Sequence, residues 1–141
     1  LDDSFIQSVA DDYSKCNLAN RTVAGIVEHK NTQSTDSGGG WHVDSEEGSQ
    51  FKSFLYLTDV GTENGPLTFI KKSKDIVKKV PKYSNLRILE EDIYRYFDLK
   101  NIVEITGSAG TCILADSTYP HRGKQIQSGI RCTYTTYFYF K

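Results

Sequence analysis

Two histidines, one aspartate and one arginine carry the chemistry this 141-residue sequence most plainly offers. His42 and Asp44 stand two positions apart. On an extended strand that spacing turns both side chains to one face, where they can take adjacent positions on a single metal ion. A third ligand, distant in sequence but close in space, completes a facial triad and leaves half of an octahedron open. One carboxylate with two imidazoles suits Fe(II), whereas thiolates would suit zinc or a cluster. His121 is the candidate third ligand, and Arg131 follows it at the mouth of the final strand. A guanidinium is permanently charged and grips a carboxylate with a planar fork. Buried near a metal it needs an anionic ligand, because an unpaired interior charge is very costly.

Each signal has a plain structural counterpart. Asp and Glu make up about an eighth of average protein sequence, so the chain's three histidines would meet some H-x-D/E pattern about one time in three. A turn histidine hydrogen-bonded to its neighbour accounts for His42 equally well. An exposed strand-end arginine does the same for Arg131. On spacing alone both readings stay open.

The elements that must position these residues are legible from periodicity. Residues 4–14 place Phe5, Ile6 and Val9 at helical spacing, with Ser4 as N-cap. A strand is predicted over 22–30. A loop rich in Ser, Thr and Gly then runs into Trp41-His42-Val43-Asp44, the kind of segment on which sites tend to sit. Residues 51–60 read as a strong strand, ENGPL as a turn and 67–70 as the next strand. Ile76, Val77 and Val80 suggest a short helix stopped by Pro81. Leu89, Ile93, Tyr96 and Phe97 form a second amphipathic helix. Strands follow at 102–105, 110–115 and 131–140, with His121 in the connection before the last. That strand shows one face of Arg131, Thr133, Thr135, Tyr137 and Tyr139, and another of Cys132, Tyr134, Thr136, Phe138 and Phe140. Many short strands with few helices point to a mainly β fold, a sandwich or jelly roll.

Length allows one domain with a real core over residues 1–141 and excludes two ordinary ones. The net charge of −1 makes no case for a nucleic-acid partner, and a small-molecule substrate is expected instead. No stretch is apolar enough to span a bilayer and no charged-then-apolar leader opens the chain, so a soluble, cytoplasmic protein is the default. Cys16, Cys112 and Cys132 are an odd number at unrelated spacings, which indicates neither a disulfide framework nor a zinc knuckle. The sequence has no methionine. It is read as a fragment lacking some N-terminal structure.

Taken together, GGGWHVD, FLYLTDVGTENGPLTFIKKSK and ADSTYPHRGKQIQSGIRCTYTTYFYF resemble the phytanoyl-CoA dioxygenase family, over roughly residues 38–75 and 105–141. The resemblance implies a double-stranded β-helix, with His42, Asp44 and His121 as iron ligands. It implies that Arg131 pairs with the distal carboxylate of 2-oxoglutarate, and that O2 is the second co-substrate. The activity implied is that of an Fe(II)- and 2-oxoglutarate-dependent dioxygenase, oxidising a small organic substrate with release of succinate and CO2. Asp44 fills the position that related halogenating enzymes leave open for chloride, which favours hydroxylation. One departure is IKKSK, where the family usually reads Pro-Gly-Ser-His.

Other residues carry two readings. Lys52, Phe54, Tyr56 and Thr58 share a strand face. Lys52 or Tyr56 would assist the co-substrate carboxylate, or the group is a core-facing aromatic pair with a snorkelling lysine. Trp41 walls the pocket or simply packs. His29 has no partner at ligand spacing and is taken as structural. The lysines between Lys71 and Lys82 form a solvated face or receive an anionic substrate. The competing function is a non-catalytic, cupin-like metal- or ligand-binding module, or an inactive oxygenase fragment. A cupin would want His-x-His followed by a glutamate. A hydrolase is weaker still, since no G-x-S-x-G elbow is present.

Overall fold

The last strand organises the molecule. In a computed structural model of the chain, which describes residues 3–16, 18–28, 39–46 and 50–140, β7 (Ile130–Phe140) lies between β1 (Leu18–Glu28) and β2 (Phe51–Tyr56). β5 (Cys112–Asp116) pairs with the far edge of β2 to give a four-stranded antiparallel sheet, β1-β7-β2-β5. A second antiparallel sheet has the order β4 (Ile102–Ile105), β3 (Leu67–Ile70), β6 (His121–Gly123). Two facing sheets without a closed barrel are the open form of the expected jelly roll.

Alternation along β2 and β7 assigns the faces. Lys52, Phe54 and Tyr56 turn inward with Arg131 and Tyr137, while Ser53, Leu55, Tyr134, Thr136 and Phe138 turn outward. The outer face is covered by α1 (Ser4–Ser14), whose Ala10, Ile6 and Val9 pack on Leu18, Phe51 and Phe138. Behind the second sheet, α2 (Lys74–Val77) and α3 (Glu90–Tyr96) join Trp41, Val43, Ile70 and Ile88 in a second buried cluster. No helix among the described residues is long and apolar enough to cross a membrane.

Several boundaries differ from expectation for local reasons. The N-cap of α1 is Asp3 rather than Ser4, because the Asp3 carboxylate accepts from the Phe5 and Ile6 amides at 3.0 and 3.2 Å. β1 begins four residues earlier than its composition suggests, drawn out by pairing along the whole of β7. β2 stops at Tyr56 rather than residue 60. His121 lies on a strand of its own, β6, and not in a connection.

The two sheets are stitched together by one phenol. Tyr56, 1% exposed, donates to the Ile105 carbonyl of β4 at 2.8 Å and accepts from the Leu67 amide of β3 at 3.0 Å. Burial pushes its pKa up, so it stays a neutral donor. The phenol is thereby committed to the sheets and not to a co-substrate carboxylate. Tyr56→Phe strands both backbone groups, a loss of about 1–3 kcal/mol. Urea unfolding is expected to show a lower midpoint at unchanged slope; an unchanged midpoint would contradict the stitch.

Candidate metal centre

The segment from Trp41 to Asp44 is short, but both of its edges are held. On one side the Val43 amide donates to Leu86 and the Ile88 amide to Trp41. On the other, His42 and His121 exchange both backbone hydrogen bonds at 3.0 Å, and the Asp44 amide donates to Ser117. Reciprocal bonding of this kind sets the two Cα atoms about 5.5 Å apart. The expected alternation then applies: Trp41 and Val43 turn into the cluster behind the second sheet, and His42 and Asp44 turn the other way.

Both imidazoles are oriented by their own backbone. His42 Nδ1 lies 2.8 Å from the Gly40 carbonyl and His121 Nδ1 lies 2.9 Å from the Tyr119 carbonyl. A carbonyl only accepts, so each Nδ1 carries a proton and donates it, which turns each Nε2 toward Asp44 as the ligand atom. The rings are 4.3 Å apart, and Phe69 of β3 stacks on His121 at 5.1 Å. His42 Nε2 is 3.9 Å from Asp44 Oδ1, and His121 Nε2 is 3.4 Å from Asp44 Oδ2. One ligand atom from each of His42, Asp44 and His121 falls within 4.8 Å of the others.

This donor set fits a metal cation. Two imidazole Nε2 atoms and a carboxylate converge on one point, the donor types and spacing that a dication takes. Burial, and then the neighbouring His121, lower His42 to about 4, so the ring is neutral at ordinary pH. Burial alone would raise the Asp44 carboxyl, but His121 and then Lys52, both facing it, outweigh burial and hold it below the usual carboxylate range.

One such group is Lys52. It is 4% exposed, so it does not snorkel. Its Nζ lies 2.6 Å from Asp44 Oδ2 and 4.3 Å from the centre of the Tyr137 ring. An ammonium this close to a carboxylate oxygen is a charge-assisted pair. Burial pulls the Lys52 pKa down, and Asp44 holds it partly up.

Arg131 reaches the same face from β7. Its guanidinium lies over two glycines, where a Cβ on Gly123 would come within 2.6 Å of Nη2 and one on Gly65 within 3.2 Å of Nη1. The fork thus fills the space a side chain at Gly123 would take. Gly123 is two residues beyond His121 on β6, so the guanidinium lies over the face that carries the imidazole, one Cα repeat of about 7 Å along the strand. That is near the reach of a five-carbon dicarboxylate. Nη1 is buried without a hydrogen-bond partner. Burial lowers the Arg131 pKa, yet a guanidinium stays charged.

The remaining candidates resolve more plainly. Trp41 packs, 1% exposed, with the Arg122 guanidinium over its ring at 4.4 Å, and Arg122 in turn pairs with Glu90 at 2.6 Å. Lys82 binds Glu46 and the Val77 and Val80 carbonyls, while Lys71, Lys72, Lys74, Lys78 and Lys79 are exposed. His29 lies outside the described residues. A groove of about 410 Å³ runs between α1 and the outward residues of β2 and β7, on the opposite face of the sheet from the histidines. The pairing of Lys52 with Asp44 and the stacking of Phe69 on His121 were not anticipated. The only sequence signal for Lys52 was its place on the face shared with Tyr56.

Comparison with known proteins follows the same lines. The family model for phytanoyl-CoA dioxygenase (PhyH) matches residues 4–131. No curated protein matches the chain. Among solved structures, the non-haem alpha-ketoglutarate-dependent carbocyclase SnoK of nogalamycin biosynthesis superposes with a TM-score of 0.73 at 17% identity, over 96% of this chain and 55% of that one. The epimerase SnoN, in complex with Fe3+, alpha-ketoglutarate and nogalamycin RO, gives 0.70 at 17%, over 96% and 55%. EctD from S. alaskensis with bound Fe gives 0.69 at 19%, over 98% and 50%. At these identities the likeness is one of fold, the double-stranded β-helix, and this chain spans about half the length of each. With that fold and a match running over most of its residues, the chain belongs to the phytanoyl-CoA dioxygenase family.

Proposed function

We propose that this chain is an Fe(II)- and 2-oxoglutarate-dependent dioxygenase acting on a C–H bond of a small organic substrate, most simply by hydroxylation. The observation that carries the reading is a pair of features on one face. Three metal-ligand atoms lie within 4.8 Å of one another, and a half-buried guanidinium with one buried, unpaired nitrogen lies over Gly123, two residues along β6 from His121. The family match and the iron and alpha-ketoglutarate in the SnoN complex agree with it. A module that only holds an ion has no use for the second feature.

In this reading His42, Asp44 and His121 hold the iron from one side and leave the rest of its octahedron open. Iron and 2-oxoglutarate, when bound, supply oxygen activation with release of succinate and CO2. The protein's own contribution is orientation. The Gly40 and Tyr119 carbonyls hold the two histidine tautomers, which keeps each Nε2 available without proton loss. Arg131 grips the distal carboxylate and so aligns the other end of the co-substrate with the metal. Phe69 covers one face of His121 and limits water there. Asp44 occupies the carboxylate position, which favours hydroxylation over halogenation. SnoK and SnoN, a carbocyclase and an epimerase, carry other outcomes on the same fold.

Two variants test this reading. Arg131→Ala is expected to weaken 2-oxoglutarate binding to the Mn(II)-loaded protein by about 2–5 kcal/mol, thirty-fold or more, measured by calorimetry; wild-type affinity would remove Arg131 from the co-substrate site. Asp44→Ala is expected to abolish coupled succinate formation, and wild-type turnover in that variant would sink the iron assignment.

A further inference from the structure

The functional reading leaves Lys52 unused, although a lysine at 4% exposure beside a metal ligand is costly to bury. Its surroundings narrow what it does. Lys52 comes from the middle of β2, and its ammonium meets Asp44 Oδ2 at 2.6 Å, the Tyr137 ring at 4.3 Å and the Phe54 ring at 6.0 Å. Among the described residues Asp44 is its ionic partner, and the Tyr137 and Phe54 rings flank it. Arg131, by contrast, sits over Gly123 and Gly65. Lys52 is therefore set against a ligand of the ion, and the co-substrate's distal carboxylate is left to Arg131.

The carboxylate needs such a partner. The Asp44 backbone amide is spent on Ser117. With a metal bound, both Nε2 lone pairs are spent on the ion, so neither imidazole can donate to the carboxylate through Nε2. An unrestrained carboxylate beside a dication can offer one oxygen or both. With both, it takes a coordination position that 2-oxoglutarate and oxygen require, since the triad leaves only three.

We propose, on the basis of the iron and 2-oxoglutarate reading above, that Lys52 is a positioning residue that holds Oδ2 of Asp44, so that the carboxylate meets the metal through a single oxygen. The ammonium keeps the third open position open. It also offsets the Asp44 charge in the metal-free protein, where a lone buried carboxylate would oppose folding.

The test uses the Mn(II)-loaded protein, with metal-bound waters counted by water-proton relaxation and 2-oxoglutarate affinity measured by calorimetry. Variants are purified with Mn(II) present so that the dication balances Asp44. Wild type is expected to carry three exchangeable waters, one for each position the triad leaves open. Lys52→Met is expected to bind one Mn(II), to carry one water fewer, and to bind 2-oxoglutarate about 10- to 100-fold more weakly. Lys52→Arg, which keeps a charged donor, restores both values. Should Lys52→Met fail to fold, Lys52→Leu is read in the same way. A Lys52→Met protein with the wild-type water count and affinity overturns the proposal while leaving the functional reading intact. A wild-type protein that takes up no Mn(II) overturns both.

Discussion

Electrostatic convergence is the constraint on which the rest of the site depends. Two imidazole lone pairs and a carboxylate face one another within 4.8 Å, at positions where water is largely excluded. Lone pairs and a carboxylate in so low a dielectric need both a fixed geometry and a balancing charge, and the backbone supplies the geometry. The reciprocal hydrogen bonds between His42 and His121 do that work, closing a loop segment onto a three-residue strand. Every other contact at the centre adjusts to that pair. Carbonyls fix the ring tautomers, Phe69 fixes one ring plane, and Lys52 balances the carboxylate.

A second consequence of the same pairing is the placement of Arg131. Because β6 carries His121 and Gly123 on one face, whatever lies over Gly123 is at a fixed distance from the imidazole. Any side chain at 123 would collide with the guanidinium, and one at 65 would crowd it and strain a backbone with φ of +69°. The NGPL turn and the HRG strand thus form the floor on which the guanidinium rests, and the fold gives them their separation. Tyr56 keeps that floor in register by tying the first sheet to β3 and β4. A mainly β scaffold suits such a site because strands set spacing more rigidly than loops do.

Much of this was legible in the residues, and the exceptions share one cause. His42 and Asp44 could be read as a same-face pair from spacing, and the two faces of β7 followed from alternation; β3 and β4 match their expected bounds. Facts that depend on which segments meet in space were not legible. Lys52 shares a strand face with Tyr56, but only the folded chain shows that the lysine meets Asp44 while the tyrosine meets Ile105 and Leu67. A strand of three residues has no periodicity to detect, so in the sequence β6 and its His121 look like a connection. Asp3 took the cap expected of Ser4 because either residue type serves, and backbone geometry decides between them. The lysines of 71–82 divide in the same way: among the described residues Lys82 meets Glu46 and the Val77 carbonyl, and the others are exposed.

The most direct measurement of the central assignment is an anaerobic titration of the metal-free protein with Fe(II), followed by 2-oxoglutarate, monitored in the visible range. Chelation of the iron by the co-substrate gives a weak charge-transfer band. The assignment of His42, Asp44 and His121 to iron and Arg131 to 2-oxoglutarate predicts that the band grows to one equivalent of each. Folded protein that binds Fe(II) and 2-oxoglutarate without developing the band, or binds neither, would contradict it.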